Sequence, residues 1–395
     1  MIDKIKSAVE SAMPRAALLR HAIHSNPELS FCERGTAKLV CDTLSSLGVE
    51  YVSGVAGTGV VAKIGGDAGG GGKTVLIRAD MDALPVSENT GLEFSSKNPG
   101  VMHACGHDMH TAILLCTAIV LSELKEMLSG RVILMFQPGE ETSGGAKPMI
   151  ESGALDIGNV DSCIALHVEP SLNVGQARFK AGAAYACPDE FCIKIKGKSG
   201  HAAAPHRCID PIVTAAQVIT ALQAIPSRMI DPMESSVLSV CSVSGGSAYN
   251  VIPGEVVIGG TARTFSSSTR DLMEESIGRI TAQVCAAYGA EFEYKFDRLF
   301  PPLINDEETI KRLKDSAANY LSSSNIFTGG MPTMAGEDFS YLTSAVKSSA
   351  LFWLGSTPEG YEKHPLHSES LVVADECIRY GTEIFADYTI RYLSE

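Results

Sequence analysis

The chain has no Cys-x-x-Cys pair, although it carries 11 cysteines. An odd set scattered through apolar contexts, such as Ser162-Cys163-Ile164-Ala165 and Val240-Cys241-Ser242, argues against a disulfide framework. Reduced, mostly buried thiols are expected, and with them a cytoplasmic protein. Positive charge is also scarce. The 32 basic residues against 46 acidic ones leave a formal charge of −14, which speaks against nucleic acid as a partner. The acidic surplus serves solubility, with a few carboxylates left for cations. No apolar run approaches the roughly 20 residues that span a bilayer. Residues 1–17 mix Asp3, Lys4, Lys6 and Glu10 among apolar positions, so no secretory signal or membrane span is expected. There is no internal repeat, and low complexity is confined to the glycine run from Gly65 to Gly72.

A length of 395 residues is ample for two domains. From Gly59 to Gly182, β-rich runs alternate with helical stretches, which predicts an α/β sheet with helices on its faces. Strands are expected at 60–64, 74–79, 131–137 and 163–168, with a helix over 111–128 stopped by Gly130. The Gly72-Lys73-Thr74 ending of the glycine run imitates a phosphate loop. Asp67 stands where that loop needs glycine, and a strand follows instead of a helix, so nucleotide binding is rejected there.

After Tyr185 the texture changes to strand (191–196), helix (211–225), strands around Gly245-Gly246 and Gly259-Gly260, helix (270–287) and strand (291–296). That βαββαβ order predicts a ferredoxin-like module. The α/β character resumes with a helix over 306–321, a strand over 350–354 and a closing helix from Ala374. The domain reading is a catalytic domain formed by 1–182 and 298–395, interrupted by an inserted domain over 183–297.

Polar residues cluster where apolar strands end, the place at which open α/β sheets bind ligands. The first such strand ends in Asp80-Met81-Asp82, the second in Pro138-Gly139-Glu140-Glu141, and the third at His167. Between them stands His103-Ala104-Cys105-Gly106-His107-Asp108, with a thiol and an imidazole on either side of a glycine. Residues two apart face different sides of a helix, so Cys105 and His107 can share a metal only on a turn, which Gly106 permits. With His367 these groups supply enough donors for two divalent ions. In the Glu140-Glu141 pair, one carboxylate can bind metal while its neighbour serves as a base.

Each feature also has an ordinary reading: a buried cysteine beside a capping histidine, acids at a helix start, a core histidine, turn-forming aspartates. Their convergence on one sheet edge makes separate ordinary explanations a poor account. Spacing leaves His103 and His110 open as substitutes for Cys105. A helix starting near Asp108 would turn His110 away, which favours Cys105.

Taken together, the motifs resemble those of the metal-dependent amidohydrolases that include aminoacylases, hippurate hydrolases and auxin-conjugate hydrolases, within the aminoacylase/carboxypeptidase metallopeptidase family. The similarity runs through Arg20-His21, Asn26-Pro27-Glu28-Leu29-Ser30, Arg78-Ala79-Asp80-Met81-Asp82-Ala83-Leu84-Pro85, the His103 to Asp108 stretch, Gln137-Pro138-Gly139-Glu140-Glu141, Ala335-Gly336-Glu337-Asp338-Phe339 and His367. It implies a di-metal peptidase-type catalytic domain with an inserted lid. The implied ligands are Cys105, His107, Glu141, His167 and His367, with Glu140 as general base and Asp80 and Asp82 shaping the site. His201, in Gly197-Lys198-Ser199-Gly200-His201, matches the histidine that stabilises the oxyanion, often across a dimer, with His206 as its nearest rival. Asn250 and Arg263 match lid positions that hold substrate, and an arginine fork suits a carboxylate. The segment Glu169-Pro170-Ser171-Leu172-Asn173 departs from the pattern, because it lacks the aromatic residue this branch commonly carries.

The resemblance implies hydrolysis of N-acyl amino acids by a homodimer joined through the lid, with two Mn2+ or Zn2+ ions per subunit and closure about hinges near Gly182 and Phe300. The alternatives are a dipeptidase or carboxypeptidase of the same family, or a metal-binding protein without turnover.

Overall fold

The computed structural model describes residues 1–65, 72–142, 144–156 and 159–395. Most of the glycine run from Gly65 to Gly72 lies outside the described residues. The chain divides into two compact units, one of Met1–Gly182, Ile304–Met331 and Asp338–Glu395, the other of Ala183–Leu303 and Pro332–Glu337.

The first unit is built on an eight-stranded mixed sheet in the order Glu50–Val55, Gly59–Ile64, Arg131–Gln137, Thr74–Asp80, Ser162–Asn173, Ser348–Thr357, Ala177–Phe179, Ile326–Thr328. The four strands from Arg131–Gln137 to Ser348–Thr357 run parallel. They are rich in Val, Ile, Leu and Phe and almost wholly buried, as parallel strands covered on both faces must be. Their register sets Asp80 opposite Gln137 and Arg78 opposite Ala165, which brings the polar strand ends level at one edge.

The His107–Glu123 helix packs against the sheet and against the Ile2–His24 and Glu376–Ser394 helices. It is apolar around nearly its whole circumference, as a helix buried on all sides should be. It begins four residues before the expected Thr111 and ends at Glu123, with a 3-10 turn over Lys125–Met127. Apolar periodicity cannot reveal that earlier start, because His107 and His110 are buried by hydrogen bonds to the neighbouring strand end.

The strand expected to end at His167 continues to Asn173 through Pro170. Its pairing with Thr74–Asp80 stops at Ala165, so a residue without an N–H is tolerated beyond that point. The helix expected from Asp306 is Glu307–Ala317, with the Asp306 carboxylate capping the Thr309 N–H at 2.9 Å. Two N-terminal helices, Ile2–His24 and Arg34–Ser46, have no counterpart in the sequence reading. The first buries Ile5, Ala8, Val9, Ala12 and Ala16 at helical spacing. The stripe is mostly alanine and is interrupted by Pro14, which weakens its signal.

The second unit holds an antiparallel four-stranded sheet, in the order Val237–Ser244, Glu255–Thr264, Cys187–Lys196, Glu291–Asp297. The Pro211–Leu222 and Ser267–Tyr288 helices pack against it. Phe191, Ile193, Val218, Leu222, Ile258, Met273 and Ile277 form its core. This is the ferredoxin-like βαββαβ arrangement, so the fold is α/β with a ferredoxin-like insertion. Among the described residues, no helix is long and apolar enough to cross a membrane.

Candidate metal centre

Gly106 adopts φ 84° at the N-cap of the His107–Glu123 helix, a conformation that L side chains rarely adopt. A Cβ there would come within 2.5 Å of Val168 Cγ2. The left-handed turn lets Cys105 and His107 face the same space, as the sequence spacing requires.

Five candidate ligands converge in the first unit. Cys105 Sγ lies 3.6 Å from His167 Nε2, and His367 Nε2 lies 3.2 Å from Glu141 Oε1. Two groups of three donors, Cys105 with His107 and His167, and Cys105 with Glu141 and His367, each fall within 4.8 Å. Glu140 belongs to a third such group with His107 and Glu141. Its Oε1 accepts from the Asp338 N–H at 3.4 Å, and only 9% of its surface is exposed.

The imidazoles are oriented from behind. His107 Nδ1 donates toward the Asp82 carbonyl at 3.0 Å and its carboxylate at 3.2 Å, leaving Nε2 without a hydrogen-bond partner. His167 Nδ1 donates to the Val168 carbonyl at 2.8 Å, so its Nε2 faces Cys105. Metal-binding histidines are held in this way, with one nitrogen fixed by the protein and the other presented. His367 has φ 66° and donates its backbone N–H to Ala104 O at 2.7 Å. That is a strained conformation for a non-glycine residue, of the sort that clusters at functional sites.

His110 is not turned away from the site. It sits in the first turn of the helix, buried, with Nδ1 2.6 Å from Asp80 Oδ1 and Nε2 accepting from the Val168 N–H at 3.0 Å. Both nitrogens are hydrogen bonded, and with Asp80 and His107 it forms a further group of three donors within 4.8 Å. His103 is buried with neither ring nitrogen hydrogen bonded, and belongs to none of the donor groups.

Burial and neighbouring charges set the electrostatics of these groups. Burial pushes the Cys105 thiol well above its usual range, reinforced by Glu141. Burial alone would lower His107, but Asp80, Cys105 and Asp82 raise it well above the ordinary histidine value. Asp80 is held well below the carboxylate range, against its burial, by His107, Arg78 and His110. A thiol, imidazoles and carboxylates packed around an unpartnered His107 Nε2 fit divalent cations, whose ligands are deprotonated when they bind.

Arg78 and Asp338 stand in the sequence motifs, where spacing gives neither of them a role. Arg78 is buried, donating to Gln137 Oε1 at 2.8 Å, Asp80 Oδ2 at 2.7 Å and Asp338 Oδ1 at 2.7 Å. It braces two strand ends and the aspartate whose N–H meets Glu140. An arginine inside an apolar strand was the available signal. Ser30 and Glu33 act similarly, Ser30 donating to Asp82 Oδ2 at 2.7 Å and Glu33 accepting from the Gly139 N–H at 2.9 Å.

The remaining candidates lie in the second unit. His201 and Asn250 are neighbours: His201 pairs with Val251, and the Ala202 N–H donates to Asn250 O at 3.0 Å. His201 is exposed, as is His206 in the following 3-10 turn. Arg263 is half-buried in the Glu255–Thr264 strand, opposite Pro188 and Val237.

Comparison with known proteins identifies the family. An N-acyl-L-amino acid amidohydrolase of Geobacillus stearothermophilus is 44% identical over 307 residues, 78% of this chain and 82% of the relative. Thermostable carboxypeptidase 1 of Saccharolobus solfataricus is 38% identical over 397 residues, 99% of both chains. Among solved structures, the Bacillus subtilis YXEP protein, described as a dinuclear metal binding peptidase, is 33% identical with a TM-score of 0.85, over 98% of this chain and 99% of that one. Residues 76–391 match the peptidase family M20/M25/M40, and the chain belongs to that family.

Proposed function

We propose that this protein hydrolyses the amide bond of N-acyl amino acids, releasing a carboxylic acid and a free amino acid. The observation that carries the reading is Glu140, nine-tenths buried and grouped with His107 and Glu141 beside two donor groups that share Cys105. Cys105, His107, Glu141, His167 and His367 would hold two divalent ions. Their mixture of thiol, imidazole and carboxylate suits Zn2+ or Mn2+. When bound, such ions supply positive charge that polarises an amide carbonyl and makes water easier to deprotonate.

Glu140 takes the proton from the attacking water and returns it to the departing amine nitrogen. Asp80 and Asp82 hold His110 and His107 from behind. His201 donates to the developing oxyanion. Asn250 and Arg263 bind substrate, the guanidinium fork matching the carboxylate of the amino acid.

The second unit supports a homodimer formed through the lid. Val237–Ser244 is an edge strand of its sheet with Val243 exposed on it, and Ile212 and Val213 are exposed on the Pro211–Leu222 helix. An open strand edge with apolar neighbours is a pairing surface for a second copy. All 11 cysteines are free, which suits the reducing cytoplasm.

The carboxypeptidase named among the relatives favours a second reading, release of a C-terminal residue from a peptide. A hydrolysis screen over acetyl, benzoyl, succinyl and indole-acetyl amino acids, set against dipeptides and N-blocked peptides, separates the two. Turnover of the N-acyl amino acids above the peptides is expected. Peptides as the better substrates would establish the second reading.

A further inference from the structure

The Ile2–His24 helix reaches the candidate metal centre through two buried side chains, Arg20 and His24. Arg20 is 1% exposed and donates from Nε to Asp108 Oδ2 at 3.0 Å and from Nη1 to Asp375 Oδ1. The two carboxylates lie far apart in sequence, and each adjoins a segment carrying candidate ligands. Asp108 follows His107 in the first turn of its helix. Asp375 is the N-cap of the Glu376–Ser394 helix, at the end of the 358–375 loop that carries His367.

We propose that Arg20 is a positioning residue for the metal centre, clasping the Cys105–His107 turn to the His367 loop. The inference rests on the reading of these residues as metal ligands. Its neighbours point the same way. His24 Nδ1 shares Asp108 Oδ2 at 2.9 Å, while its Nε2 lies 3.3 Å from Glu88 Oε1. His21 meets Asp375 Oδ2 at 2.8 Å and stacks on Phe94 with ring centroids 3.7 Å apart. The two clasped segments also touch directly, through the His367 N–H on Ala104 O.

Asp108 is 1% exposed, and its Oδ1 has no hydrogen-bond partner. A buried carboxylate that loses its guanidinium, and keeps only His24 on the same oxygen, is drawn toward a proton or toward water. If it moves, it carries the adjoining His107 with it. Lysine at this position keeps the charge but lacks the fork that reaches two carboxylates at once.

The test is metal affinity, measured by competition with a chelator on the full chain, together with the absorption spectrum of the Co2+-loaded protein, which reports thiolate coordination. Arg20→Gln and Arg20→Lys should each weaken Co2+ and Zn2+ binding by about 10-fold or more, the usual size of such effects, and should alter the spectrum. Val9→Ala, in the core at the other end of the same helix, should lower the melting temperature yet leave affinity and spectrum as in the wild type. If Arg20→Gln does not fold, Asp375→Asn carries the same expectation. Arg20 variants with wild-type affinity and spectrum would overturn the proposal while leaving the ligand assignment intact. A wild-type protein that binds no divalent metal would overturn both.

Discussion

Asp82 holds His107 from behind, its carbonyl 3.0 Å and its carboxylate 3.2 Å from the imidazole Nδ1. The same carboxylate accepts the Glu141 N–H at 3.0 Å. One side chain therefore sets the tautomer of one candidate ligand and the backbone position of another.

Asp82→Ala should weaken divalent metal binding by about 10- to 100-fold, since groups that orient metal ligands typically have effects of that size. Calorimetric titration of the metal-free variant with Zn2+ measures it. Unchanged affinity would mean that the contact does not organise the site.

Cys105→Ala should lower metal occupancy and make activity depend on added metal. His110→Ala should act differently, lowering the melting temperature by removing the contacts to Asp80 and Val168 while the five donors remain. Elemental analysis of both purified variants separates the roles. Full occupancy by two ions in Cys105→Ala would remove the thiol from the ligand set.

Burial pulls the His24 pKa down, but Asp108 and Glu88 outweigh it and raise it to about 9 from an ordinary 6.5. A group whose folded pKa is raised stabilises the protein fully below its unfolded value, and the contribution is lost as pH rises through the folded value. The metal-free protein should therefore lose stability between about pH 6.5 and about pH 9, and His24→Gln should show less of that loss. Melting temperatures across this range for both proteins are the check. Identical slopes would contradict the assignment.

The parts of this molecule legible in its sequence are those written locally. The strands ending at Asp80 and Gln137 are runs of β-branched and aliphatic residues followed by turn formers, and each was placed within about a residue, the usual limit at element ends. The ligand turn announces itself through Gly106. The support for that turn is written elsewhere in the chain. Arg20 meets Asp108 across 88 positions, and Arg78 meets Asp338 across 260, and no local pattern records which buried charges will pair. The orientation of His110 is hidden for the same reason, because it follows from Asp80 and Val168 and not from helical spacing. The Ile2–His24 helix is hard to read although its spacing is present, since alanine carries little of the apolar signal.

Glu140 is the proposed base of a metal-dependent amide hydrolysis. Glu140→Gln, which preserves shape and removes the basic oxygen, tests it most directly when turnover of an N-acyl amino acid and bound metal are measured on the same sample. Both ions should remain, while kcat should fall by about 10²- to 10⁴-fold, the usual contribution of a general base. Activity within a few-fold of wild type with both ions bound would contradict the account.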